Sequence, residues 1–216
     1  MKKQTGFTLI ELAMVLVIIG LLLGMVLKGQ ELINSAKVKN MAADFKNVQV
    51  YIYAYQDKYR ALPGDHRAAA DLIAGAQNGA GGTLGNGRIE GAWNAAGSPP
   101  ASESEVFWQH VRLAGLAAGS TNLNDARYYP ANADGGIIGI ESVGGFSGPA
   151  GLSGAFVVCS AAVSGRLAKQ LDITLDDGAA DRGAFRVYAD GGADWLPSSG
   201  EGAVDDAMLY NVCMAF

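Results

Sequence analysis

Histidine and cysteine are scarce in this chain, with two of each among 216 residues. A zinc centre needs more nitrogen and sulfur ligands than that, at suitable spacing. His66 falls in a "PGDHR" turn, and His110 lies inside "FWQHV", a stretch that reads as helix and gives it a packing role. No nucleophile elbow or comparable motif is present. An enzyme reading therefore lacks parts. Aromatic residues make up only 8% of the chain, and Trp93, Trp108 and Trp195 read as packing residues rather than a ligand platform. Basic residues are outnumbered over most of the length: residues 61–216 hold 8 Lys/Arg against 17 Asp/Glu, whereas residues 1–60 hold 8 against 4. Phosphate binding needs clustered Lys and Arg, so no nucleic-acid partner is expected. Proline is missing before Pro63, and no internal repeat is visible.

One charge is also all that interrupts the first apolar run. After the short basic stretch "MKKQTG", residues Phe7 to Leu27 contain Glu11 and no other ionisable side chain. As a helix at roughly 1.5 Å per residue, that run spans about 30 Å, the thickness of a bilayer core. Lys2 and Lys3 precede it and stay cytoplasmic by the positive-inside rule, which sends the remainder outside. A secretory signal peptide would need a small-residue cleavage site just past the run. The sequence there, "KGQELINSAKVKN", has no good one. Helical patterning continues beyond it: Met41, Phe45, Val48, Ile52, Tyr55 and Tyr59 step by four and three, a heptad seam. One helix from Phe7 to Tyr59 is predicted, ended by the "ALPG" stretch.

The part after residue 60 holds 26 of the 30 glycines and reads as a loop-rich α+β domain. Asp65 is placed to cap a helix over "HRAAADLIAGA", with Gly75 at its end. Ser102 and Glu105 form an S-x-x-E capping box before "VFWQHVRLAGL". Strands are predicted at 155–160, 184–189 and 208–216, and 96–104 is the most loop-like stretch. The simplest architecture is an antiparallel sheet packed on the outer half of the long helix.

"KKQTGFTLIELAMVLVIIGLLL" resembles the N-terminus of type IV prepilins and pseudopilins, over about the first quarter of the chain. The shorter stretches "LPGD", "GNGRIEG", "WQHVRLAGL" and "LDDGAADRG" lend minor support. The resemblance implies a leader at 1–6, a helix at 7–60 with 7–27 as its membrane or filament-core part, and a head at 61–216. It also implies cleavage between Gly6 and Phe7 by a membrane prepilin peptidase, then N-methylation of Phe7. An intramembrane carboxylate costs on the order of 2.5–3.5 kcal/mol and calls for a partner. Cleavage supplies one, the Phe7 amine, and the resemblance implies that Glu11 meets the amine of a neighbouring subunit in a filament. Many pilins carry a kinking proline where this chain has Lys28. Lys28 can snorkel to the interface, and Gly20, Gly24 and Gly29 lower helix propensity instead.

Export of the head, together with the pilin habit of stapling the C-terminal region, implies a Cys159–Cys213 disulfide. Oxygen ligands for calcium are available at Asp172, Asp176, Asp177 and Asp181, and Asn86 and Glu90 stand in a second Gly-rich turn. Neither matches EF-hand spacing, and no cofactor is required. The reading that results is a type IV pilus-like filament subunit with an α+β fold. Its partners would be copies of itself or other pilins, the processing peptidase and methyltransferase, and the inner membrane before release to the cell surface. A type II secretion pseudopilin is the nearer rival. A signal-anchored monomeric periplasmic binding protein or enzyme is the more distant one.

Overall fold

The computed structural model describes residues 8–95 and 101–216. Its first element is α1, Leu9–Tyr59, a helix of 51 residues. The chain divides into two compact units between Lys37 and Val38, a boundary that falls within α1. In the first unit every side chain from Leu9 to Leu27 is exposed, and the helix is long and apolar enough to cross a membrane, with a mean hydropathy of 2.8 over its best window. No proline or left-handed residue interrupts it, and Gly20, Gly24 and Gly29 are accommodated as ordinary helical positions.

In the second unit the heptad seam supplies the core. Met41, Phe45, Val48, Ile52 and Tyr55 are buried, joined by Val38 and Ala42. Tyr59 is half-buried and packs against Tyr55 and His66. Arg60 then turns left-handed at φ 57° while its N–H bonds Gln56, and Pro63 follows. A left-handed residue after the last turn is a common helix stop.

Two short helices follow, α2 at Ala69–Leu72 and α3 at Glu103–Leu113. Strands β1 (Ile138–Ser142), β2 (Phe156–Ser164), β3 (Phe185–Ala189) and β4 (Leu209–Ala215) form one antiparallel sheet in the order β1-β2-β4-β3. Helix α4, Gly165–Leu175, follows β2 directly. The period-2 alternation of strand side chains sorts the sheet into two faces. Ile140, Val158, Phe185, Val187, Val212 and Met214 join the α1 seam in the main core, where Phe45 meets Phe185 edge-on at 5.7 Å. Val157, Cys159, Tyr188, Cys213 and Ala215 face the other way and pack around Trp93.

This is the α+β arrangement read from the sequence, with several local differences. The helix foreseen over residues 66–76 contracts to one turn, because Asp65 does not cap it. Its carboxylate instead accepts backbone N–H groups of Gly85, Asn86 and Gly87. The strands foreseen at 155–160, 184–189 and 208–216 appear as β2, β3 and β4, with β2 longer by four residues at its end. The capping role of Ser102 is realised, its hydroxyl accepting the Glu105 N–H. Residues 96–100 of the loop-like stretch lie outside the described residues. Strand β1 and helix α4 were not anticipated.

Candidate functional site

The candidate site with the strongest sequence warrant is the start of α1. Gly6 and Phe7 lie outside the described residues. Thr8 immediately precedes α1 and Glu11 is its third residue, and the two side chains serve each other. The Thr8 N–H donates to Glu11 Oε2 at 2.8 Å, the Thr8 hydroxyl donates to the same oxygen at 2.7 Å, and the Glu11 N–H returns to the hydroxyl at 3.3 Å. This reciprocal pattern is a capping box, which satisfies two of the donors that every helix start leaves open. Glu11 Oε1 takes no hydrogen bond from a described residue. The carboxylate is thus held at a helix start, where negative charge is favoured by the backbone dipoles. The next charge along the chain is Lys28, which pairs with Glu31 at 2.7 Å on an exposed face.

A family model for the prokaryotic N-terminal methylation motif matches residues 1–27. That segment is the type IV prepilin signature. No curated protein and no solved structure matches the chain. The prepilin signature covers both the Gly6-Phe7 junction and Glu11, so the capping box sits inside the matched segment.

The part of the chain after residue 60 brings some of the other candidate residues together and leaves others apart. Cys159 and Cys213 are directly opposed across β2 and β4 and are disulfide-bonded, with Cα atoms 4.1 Å apart. Asp172, Asp176 and Asp177 place one carboxylate oxygen each within 4.8 Å of the others, at the end of α4. Asp181 is outside that group and is bonded by the Ser198 hydroxyl. Each member of the group already serves the chain: Asp172 accepts Gly178 N–H, Asp176 accepts Phe185 N–H, and Asp177 accepts Ala179 N–H and Arg182 Nε. Burial, reinforced by its two neighbours, pushes Asp172 up to about 6.

The two histidines share a buried aromatic cluster without forming a metal pair. His110 Nδ1 accepts the Gly64 N–H at 3.0 Å, which requires the proton on Nε2, and Nε2 donates to the Gln77 carbonyl at 2.8 Å. Both ring nitrogens are thereby used, leaving no lone pair for a metal. Burial lowers His110 to about 4, so it is neutral at pH 7. His66 Nδ1 meets the Tyr55 hydroxyl at 2.8 Å. Trp93 and Trp108 are buried in the packing role read for them, and Trp195 stacks on Phe146.

Two buried glutamates escaped the sequence reading. Glu141, on β1, accepts the Trp93 N–H at 3.0 Å and both the N–H and hydroxyl of Ser147, and burial raises it to about 7. Glu103, at the start of α3, is also fully buried. Neither matches a motif, and an acidic residue in a loop-rich domain reads by default as solvated.

Proposed function

We propose that this chain is a structural subunit of a type IV pilus-like filament, cleaved after Gly6 and polymerised through its N-terminal helix. The observation that carries the reading is the prepilin signature at residues 1–27, since the peptidase needs this short basic leader with Gly6 before the scissile bond. Three further features support it. The run from Leu9 to Leu27 is apolar on all sides, as suits first a bilayer and then a filament core. The disulfide fits an exported, oxidising location for the head. The capping box holds Glu11 four residues from Phe7 with one oxygen that takes no hydrogen bond from a described residue, so that it can accept the new amine of an adjacent subunit. The charge would then set the axial register of each incoming copy as well as offset desolvation. Proteins with this signature are structural subunits, and the head is read as a displayed surface rather than a catalytic one.

Mass spectrometry of the mature protein tests the first step. The expected chain begins at Phe7, methylated on its amine, and Gly6→Val blocks cleavage. A chain starting at Met1, or after residue 27, overturns the reading. Shearing then tests the second step: surface filaments should contain this chain. A processed chain that never enters sheared filaments would assign it to a secretion pseudopilus instead.

A further inference from the structure

Glu103 has no exposed surface, and its two oxygens differ. Oε2 accepts the Glu90 N–H at 2.9 Å, while Oε1 is buried without any hydrogen-bond partner. A buried polar atom in that condition is destabilising unless something absent from the chain itself satisfies it. The surroundings make room for this residue. A Cβ on Gly64 would fall 2.5 Å from the Glu103 carbonyl oxygen, and one on Gly79 would fall 2.6 Å from its Cγ. A Cβ on Gly82 would lie 2.9 Å from Glu103 Oε1 and 2.0 Å from Glu90 Oε2. The two carboxylate oxygens therefore converge on the space that a side chain at residue 82 would fill.

Glu90 Oε2 has the Thr83 N–H as a donor at 2.9 Å, and neither carboxylate is ion-paired with a described Lys or Arg. The loop that carries Glu90 is tied down from below by Asp65, which holds the N–H groups of Gly85, Asn86 and Gly87. Asp65 is thus occupied, yet its charge adds to the negative potential. Burial pushes Glu103 up to about 7, and the charges of Asp65 and Glu90 reinforce it. Gly82 itself is exposed, which leaves a way in from solvent.

We propose that Glu103 and Glu90 are the two carboxylate ligands of a calcium site, closed by the glycine-rich loop of residues 79–91 over the start of α3. Calcium takes six to eight oxygens in irregular geometry, so loop carbonyls and water can complete its shell. Magnesium demands a near-ideal octahedron that an irregular loop suits poorly, and no nitrogen or sulfur ligand is offered to a softer metal. The acidic group at Asp172, Asp176 and Asp177 is the natural control. Its carboxylates are all engaged by the chain, and none is an orphan. This site is independent of the filament reading.

The test uses the full-length chain in detergent, stripped with EDTA, followed by thermal unfolding and calorimetric titration with CaCl2 at pH 7.5. Binding at ten times Kd should raise Tm by about 3–6 °C. Glu103→Gln and Glu90→Gln should abolish the shift. Gly82→Ala, at an exposed loop position that does not enter the core, should do the same by filling the cradle. Asp177→Asn should leave it intact. The proposal fails if wild-type protein shows no calcium shift. It fails equally if Asp177→Asn removes the shift while Gly82→Ala keeps it. A stability that responds to pH near 7 but not to calcium would show that Glu103 holds a proton there, and this too overturns the site.

Discussion

Glu11 has two separable properties, an acceptor that completes a helix cap and a charge. Replacing it by leucine removes both, and relieves the membrane of a group that costs a few kcal/mol to insert. Mature protein should therefore reach normal membrane levels. If the carboxylate meets a neighbour's amine in the filament core, its loss strands that cation, and breaking such a buried pair typically costs about 3–5 kcal/mol. Few or no filaments should then form. Glu11→Gln keeps an oxygen for Thr8 and loses only the charge, so it should assemble as poorly; filaments at wild-type abundance from the glutamine variant would reduce Glu11 to a local cap. His110 offers a second single-residue test. Its folded-state value of about 4 lies below its ordinary 6.5, so the unfolded chain binds the extra proton between those two. The stability His110 confers is complete above pH 6.5 and drains away as pH falls toward 4, with about 2 kcal/mol gone by pH 5. Glu103 and Glu141, both raised by burial, run in the opposite sense, so the comparison must be made between proteins that share them. His110→Asn keeps an acceptor for the Gly64 N–H. Its denaturant midpoint should fall less than that of wild type between pH 7 and 5, and parallel curves would show that the ring does not govern the slope.

Among the elements, the two central strands are cross-linked. The Cys159–Cys213 bridge joins β2 to β4 at one register position and encloses a loop with a sequence separation of 54, which contains α4 and β3. Closing a loop of that size limits the unfolded chain by about 4 kcal/mol in the entropy account. Cys213→Ser should lower the unfolding midpoint accordingly and make the 160–212 region the first to become protease-sensitive. A variant as stable as wild type would mean the sheet needs no staple. The long helix was legible because its signals are local and repeated: an unbroken apolar run, then a seam at heptad spacing, then Pro63. Strand β1 was not, because its second residue is Gly139, a weak strand former required there by the Trp93 carbonyl, which comes within 1.9 Å of the space a Cβ would take. Helix α4 was missed for a related reason. Its buried face includes Asp172 beside Leu171, and a buried carboxylate disguises the amphipathic pattern.

At the scale of the whole molecule, the readable and unreadable parts follow the reach of the contacts. The prepilin signature is a contiguous motif, so residues 1–27 announce it. The Glu103 cradle is assembled from Gly64, Gly79, Gly82 and Glu90, which the chain brings to α3 only once folded. "SESE" displayed its capping box at Ser102 and Glu105 but gave no hint that the glutamate between them is sealed from water. Asp65 was similarly drawn toward the loop at 85–87 rather than toward the helix beside it in sequence. The strand order carries one more consequence, for the timing of folding. In the sheet β1-β2-β4-β3, the strand latest in the chain lies between two earlier ones, and β3 touches the sheet only through it. An emerging polypeptide can pair β1 with β2 early, but β3 must wait as an unpaired edge until residues 209–215 are available. Closure of the sheet and the joining of Cys159 to Cys213, which needs an external two-electron oxidant, then become late and coincident events. Strand β4 is what closes the sheet.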